Sequence, residues 1–73
     1  MNHHYSILIQ WSEEDQLYLV TVPEFVGLVM QPCTYGRTYE EAIVNAQDCI
    51  DTCLDYFDQA GIVPPAPAIA QVA

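Results

Sequence analysis

Basic side chains are almost missing from this chain: its 73 residues include ten acidic residues, and Arg37 is the only lysine or arginine. The formal net charge is therefore −9. Phosphate backbones are bound largely through lysine and arginine, so the composition argues against direct binding to nucleic acid or to an anionic membrane. A basic protein is the complementary partner, because opposite potentials accelerate encounter. The alternative is that the acidic residues serve only solubility.

Long apolar runs and paired cysteines are also missing. No apolar run approaches the ~20 residues that a membrane-spanning helix needs, so no membrane association is predicted. Cys33, Cys49 and Cys53 form an odd set without the spacing of a disulfide framework, and the N-terminus has no signal-peptide pattern. These features predict a reducing, cytoplasmic location.

The sequence contains no glycine-rich phosphate loop and no HExxH or GxSxG motif. Cys49 and Cys53 lie on the apolar stripe of a predicted helix, where cysteine packs as a small core residue rather than as a metal ligand. His3 and His4 are predicted to form an exposed terminus. The sequence therefore predicts a protein that is not an enzyme and has no cofactor or metal site.

Alternating and apolar segments indicate a sheet in the first half of the chain. Residues 5–11 alternate in polarity with a period of two, and residues 17–22 are rich in branched and aromatic side chains. The polar segment 12–16 between them has the length of a hairpin loop. The apolar run 28–30 is predicted to be a third strand, which residues 33–37 extend towards the helix.

A long helix is predicted to follow. Gly36 supplies a turn, Thr38 and Glu41 match a capping box, and apolar residues then recur at steps of three and four as far as Phe57. Gly61 is placed to end the helix. Residues 62–63 are predicted to be a weak fourth strand. We therefore expect a two-layer α+β domain over residues 1–63, in the order β-β-β-α-β, followed by a loose Pro/Ala-rich tail over residues 64–73. One helix packs on one face of a three- to four-stranded antiparallel sheet.

Two surfaces of this fold are predicted to bind other proteins. The second strand is apolar on both faces and one helix covers only one of them, so the other face would form an oligomer interface; Tyr18, Val20 and Val22 are assigned to it. Four aspartates share the outer face of the helix at spacings where like charges repel: Asp48, Asp51, Asp55 and Asp58. They are predicted to contact a basic partner, or alternatively to form a solvated acidic face.

Arg37 has two interpretations. Its guanidinium could pair with Glu40 or Glu41 on the adjacent helix turn, which would contribute under ~1 kcal/mol at an exposed position. Alternatively, Arg37 could bind an acidic residue of a second copy across an oligomer interface.

Three segments, in order, resemble the HicB-like antitoxin family. Residues 5–25, "YSILIQWSEEDQLYLVTVPEF", are similar to the first hairpin of that family, which runs into V-P-E/D. Residues 36–51, "GRTYEEAIVNAQDCID", resemble its helix entry, and residues 61–67, "GIVPPAP", resemble its short proline-rich closing strand. The segment "LVMQPC" between Gly27 and Thr34 is longer than the usual link of the family.

The resemblance implies a partial RNase H-like domain that has lost catalysis. Family members dimerise or form higher oligomers and neutralise a small basic toxin of the HicA type, an mRNA-cleaving ribonuclease. Many of them continue into a domain that binds operator DNA; this chain ends shortly after the helix, so no DNA binding is expected. The alternative is an orphan oligomeric protein of the same fold with no toxin partner.

Overall fold

The computed structural model describes residues 3–70, which form a three-stranded antiparallel sheet with one long helix packed on it. The elements are β1 (Leu8–Ser12), β2 (Leu17–Thr21), a short 3₁₀ helix (Pro23–Phe25), β3 (Thr34–Gly36) and α1 (Tyr39–Ala60). The strand order in the sheet is β1-β2-β3. The predicted two-layer α+β architecture is confirmed. Residues 1–2 and 71–73, which belong to the predicted domain and tail, lie outside the described residues.

The hairpin between β1 and β2 forms where the sequence places it. Ile9 pairs with Val20 and Trp11 pairs with Tyr18. Gln16 adopts a positive φ of 55° and its N–H donates to the Ser12 carbonyl at 2.8 Å, which closes the turn. The first strand is shorter at its start than predicted, and upstream of it Ser6 donates its N–H to the Glu24 carboxylate.

The third strand is Thr34–Gly36, which lies within the predicted extension over residues 33–37, whereas the prediction of a strand at residues 28–30 is wrong. Val29 forms only an isolated bridge to Val26. The Gln31 side-chain amide instead forms two hydrogen bonds with the backbone of Val22: it donates to the carbonyl at 3.1 Å and accepts from the N–H at 3.4 Å. The longer segment before β3 thus closes against the end of β2 rather than extending the sheet.

The helix boundaries are confirmed. The Thr38 hydroxyl accepts the Glu41 N–H at 3.1 Å, and Gly61 ends the helix in the left-handed conformation with φ 70°. The Ile62 N–H donates to the Phe57 carbonyl at 2.8 Å. One detail differs from a standard capping box: the Glu41 carboxylate accepts the Arg37 N–H at 3.0 Å, one residue before the capping threonine.

Residues 62–70 contain no strand, so the predicted fourth strand is wrong within the described chain. The described part of the tail, residues 64–70, makes contacts with the rest of the chain. The Tyr5 hydroxyl donates to the Pro65 carbonyl at 2.7 Å, and the Ala68 N–H donates to the Glu24 carboxylate at 2.9 Å. Two hydrogen bonds therefore hold this extended segment against the body of the domain.

The core lies between the sheet and one face of α1. The buried helix residues are Ala42, Ala46, Ile50, Cys53 and Phe57. They pack on Val20, Val22 and Phe25, which are fully buried. The assignment of Val20 and Val22 to an oligomer interface is therefore corrected: they lie beneath the helix. Tyr18 lies on the same face of the sheet, at its half-buried margin.

Candidate protein-binding surfaces

The four aspartates of the acidic helix face, Asp48, Asp51, Asp55 and Asp58, are all exposed along α1. They lie on the side of α1 away from its buried stripe, as the helical period requires. No lysine or arginine occurs in α1, so the helix itself supplies no counter-charge. The structure thus presents the predicted acidic face to solvent.

The N-terminal segment reaches this face. His3 Nε2 lies 2.7 Å from Asp51 Oδ1, and this contact is the one ion pair within residues 3–70 when the imidazole is protonated. His3, Asp51, Leu54 and Asp55 line an open cavity of about 370 Å³. The prediction that both histidines are exposed holds for His4 but is wrong for His3, which is half-buried. Sequence spacing carries no signal for a contact between residues 3 and 51.

Arg37 is exposed just before α1. Its backbone N–H binds the Glu41 carboxylate, but its guanidinium forms no ion pair with any residue from 3 to 70. The interpretation in which Arg37 pairs with Glu40 or Glu41 is therefore not supported by the described contacts. Pairing with an acidic residue of another chain stays a prediction.

The outer sheet face, on the side away from α1, is uncharged. Its seven strand residues are Leu8, Gln10, Ser12, Leu17, Leu19, Thr21 and Tyr35, which alternate with the residues that point towards the helix. Leu8 is 44% exposed and Tyr35 is 57% exposed. In a chain with ten acidic residues, the strand residues of this face are all apolar or neutral polar. An apolar second face was predicted, but the residues of β2 assigned to it are those that point towards the helix.

An aromatic cluster joins β1, β2 and α1 at one margin of the sheet. The ring centroids of Trp11 and Tyr18 are 5.0 Å apart, and those of Tyr18 and Tyr39 are 4.4 Å apart. Desolvation, the neighbouring Tyr39 and the negative charge of Glu40 raise the pKa of the Tyr18 phenol above its usual value. Sequence reasoning missed this cluster because its three rings come from three different elements.

Glu24 forms a second polar centre that the sequence did not indicate. Its carboxylate accepts the Ser6 N–H at 3.0 Å, the Ser6 hydroxyl at 3.1 Å and the Ala68 N–H at 2.9 Å. Desolvation raises the pKa of Glu24, but the hydrogen bonds from Ala68 and Ser6 outweigh it and hold the pKa below its usual value. These contacts join three segments that are far apart in the sequence.

The three cysteines lie close together inside the domain. The Cys49 and Cys53 sulfur atoms are 3.9 Å apart, and the Cys49 thiol donates to the Cys33 carbonyl at 3.7 Å. Burial raises the pKa of both the Cys49 and the Cys53 thiols to about 11. A thiol with so high a pKa is a poor nucleophile at neutral pH. Within residues 3–70, no group of three or more His, Cys, Asp or Glu side chains is arranged to hold a metal ion.

Comparison with protein-family models, with curated proteins and with solved structures found no match to this chain. Among the described residues, no helix combines the length and the apolar character needed to cross a membrane.

Proposed function

We propose that this chain is a non-enzymatic protein-binding domain that self-associates and neutralises a small basic toxin, as the HicB-like antitoxins that it resembles do. The observation that carries this proposal is the acidic helix face. Its four aspartates are exposed on a helix without a basic residue. Like charges at i,i+3 and i,i+4 spacing destabilise a helix by a few tenths of a kcal/mol per pair. The positive charges of a basic partner would turn this repulsion into attraction.

The overall charge of the chain supports the same type of partner. A net charge of −9 on a small domain produces a long-range potential that accelerates encounter with a basic protein and repels acidic ones. The acidic helix face lies opposite the core stripe of α1, so a partner can cover it without disturbing the sheet. A partner bound to the acidic helix face would contact several turns of α1.

Self-association is assigned to the outer sheet face. Two copies with a net charge of −9 repel each other over most of their surfaces, and this face contains no acidic residue. The exposed Leu8 and Tyr35 side chains would gain burial there. Arg37, exposed next to β3, would then bind an acidic residue of the second copy at the margin of the interface. We propose a cytoplasmic location, because the three free cysteines fit a reducing compartment.

The test of toxin binding is co-purification of the untagged chain with the products of neighbouring genes, followed by light scattering. We expect a stoichiometric complex with a small basic protein that dissociates as the salt concentration rises. The double variant Asp51→Lys with Asp55→Lys should abolish the complex. Glu14→Lys with Asp15→Lys makes the same change of charge in the exposed hairpin turn and should retain it. A complex that survives the helix variant would move the contact away from α1, and the lack of any complex would contradict the toxin-binding proposal.

The test of self-association uses the mass in solution as a function of concentration. Leu8→Glu with Tyr35→Glu places charge on the outer sheet face and should give the mass of one chain. Leu28→Glu with Val63→Glu adds the same charge at exposed apolar positions elsewhere and should leave the oligomer intact. Arg37→Ala should weaken the oligomer most at low salt, where ion pairs are least screened. Equal masses for all variants would contradict the assignment of this face.

An orphan oligomeric protein without a toxin partner is the second candidate. The uncharged outer sheet face favours it, because self-association there needs no other protein. A stable oligomer with no co-purifying protein would support this candidate over the first.

A further inference from the structure

We propose that the aromatic cluster of Trp11, Tyr18 and Tyr39, with Glu13 and Glu40 beside it, binds an arginine or lysine side chain of a basic protein. This inference rests on the proposed function, since it adds a second, separate contact for the same class of partner.

The three rings form an open stack rather than a covered one. Trp11 meets Tyr18 edge to face, with an interplanar angle of 65°, and Tyr39 lies over Tyr18 at 32°. Trp11 is 46% exposed and Tyr39 is 58% exposed. Because Tyr39 packs on Tyr18 with one face, its large exposed area leaves the other face open to a ligand. Exposed aromatic faces carry negative electrostatic potential and attract cations within about 6 Å of the ring centroid.

Carboxylates beside the stack strengthen this preference. Glu13 accepts the Trp11 indole N–H at 3.2 Å with one oxygen and the Gln16 side-chain N–H at 3.0 Å with the other. Each of these oxygens retains a free lone pair for an incoming donor. The carboxylate is therefore held in place beside the indole ring and can still accept hydrogen bonds from a guanidinium or ammonium group.

Glu40 provides the second carboxylate. It follows Tyr39 in the first turn of α1, is exposed, and lies near enough to the Tyr18 phenol to act on it electrostatically. Neither Glu13 nor Glu40 forms an ion pair with any of the residues that the structure describes. Both negative charges are thus available to a cation from outside the chain.

The charge distribution selects a basic side chain over other occupants. An anion would face two carboxylates and the negative ring faces, and an apolar side chain would leave both carboxylates without compensation. A guanidinium combines a planar face that stacks on an aromatic ring with donors that fit a carboxylate, so arginine should bind more tightly than lysine. A second copy of this chain offers Arg37 as its only such group and otherwise repels through its acidic residues.

The site differs in position from the acidic helix face. Tyr39 and Glu40 begin α1, whereas Asp51, Asp55 and Asp58 lie in its second half. A basic partner lying along the helix could contact both, with one cationic side chain on the rings and others on the aspartates.

The experiment uses Trp11, the single tryptophan of the chain, as an intrinsic reporter. A peptide of six arginines is titrated into the full chain at low salt while tryptophan fluorescence is followed, and affinity is also measured by calorimetry. We expect quenching that saturates with binding. Tyr39→Leu removes one open ring face and should weaken binding by about two- to fivefold, the range for an exposed cation–π contact. Tyr39→Phe keeps the ring and should bind like the unmodified chain.

The matched control is Tyr56→Leu. Tyr56 is also an exposed tyrosine of α1, at 52%, and it contacts one ring, Phe57, at 5.8 Å. It lies outside the proposed site, so the variant should bind the peptide with unchanged affinity. Circular dichroism of each variant verifies that α1 is intact before the titration.

The outcomes separate this inference from the proposed function. Calorimetric binding without a fluorescence change, and with equal affinity for Tyr39→Leu and Tyr56→Leu, overturns the aromatic site but leaves binding through the acidic helix face. Quenching that persists at full amplitude in Asp51→Asn with Asp55→Asn, and is weakened by Tyr39→Leu, supports the site independently of that face. No binding of the peptide by the unmodified chain overturns both.

Discussion

Gly36 lies against the backbone of Ala42 so closely that a β-carbon on Gly36 would be 2.7 Å from the Ala42 α-carbon. Gly36 ends β3, and Ala42 is fully buried in the first turns of α1. The glycine is required by this close approach of strand and helix. The sequence had suggested a different reason, a flexible turn before the helix.

We expect Gly36→Ala to destabilise the domain by about 3 kcal/mol, the upper part of the range for inserting a methyl group into a packed interior. The backbone atoms of Ala42 cannot rotate away as a flexible side chain could. Urea denaturation followed by circular dichroism measures the loss. Gly27→Ala is the control: it has no atom within 4 Å of the new β-carbon, but its φ of 88° should cost about 1 kcal/mol. Equal losses for the two variants would show that the contact with Ala42 is unimportant.

The Thr38 cap should contribute measurably to stability. Thr38→Ala removes the hydroxyl that accepts the Glu41 N–H and should lower the free energy of unfolding by about 1 kcal/mol. Thr52→Ala changes an exposed threonine in the middle of α1, where alanine has the higher helix propensity, and should be neutral or slightly stabilising. Thermal unfolding of the two variants makes the comparison. A Thr38 variant as stable as the Thr52 variant would contradict the role of the cap.

Glu24 should make stability depend on acid pH. Its pKa is held below the usual value in the folded chain, so the unfolded chain binds the proton more readily. The stabilisation is therefore complete above the unfolded-state pKa of about 4.3 and is lost as pH falls through the lower folded-state pKa. Glu24→Gln should lower stability at neutral pH by about 1 kcal/mol and flatten this acid dependence. Glu14→Gln removes the same charge at an exposed turn position and is the control for stability at neutral pH. A Glu24 variant with the original pH profile would contradict the assignment.

Cys49 and Cys53 should be slow to react in the folded protein. With pKa values of about 11, roughly one thiol in a thousand is ionised at pH 8, and burial limits access further. Iodoacetamide at pH 8 should modify both residues in urea but leave them largely unmodified in the native chain. Mass spectrometry after cleavage at aspartate locates the modification, since Asp51 lies between the two cysteines. Rapid native modification would show that the thiols are not held in the core as described.

The helix and the first hairpin were predictable from sequence because their signals are local. Thr38, Glu41 and Gly61 mark the helix ends within a few residues, and the period of the apolar residues identifies its buried side. The third strand was predictable only in part: Thr34–Gly36 lies within the predicted extension over residues 33–37. The more apolar residues 28–30 form no strand, because Thr34–Gly36 is the segment that pairs with β2. Pairing with β2, a tertiary contact, therefore outweighs the higher local strand propensity of residues 28–30.

The binding surfaces were predictable only in part. The acidic helix face follows from helical spacing, so its exposure could be anticipated. Both faces of β2 are apolar, so the sequence could not decide whether Val20 or Leu19 faces the helix. The aromatic cluster and the contacts of Glu24 join residues far apart in the chain, and no spacing rule links Trp11 to Tyr39 or Ser6 to Ala68.

The junction at Glu24 brings the beginning and the end of the described chain to one place. Ser6 and Ala68 bind the same carboxylate, and Tyr5 binds Pro65 beside them. These contacts hold the two ends of the described chain near each other, which is the condition for joining them by a linker. A short glycine-serine linker from residue 70 to residue 3, with new termini between Glu14 and Asp15 in the exposed turn, would give a circular permutant in which β2 comes first and β1 last. We expect this rearranged chain to retain the strand pairing, the helix and the core, which circular dichroism and thermal unfolding would measure.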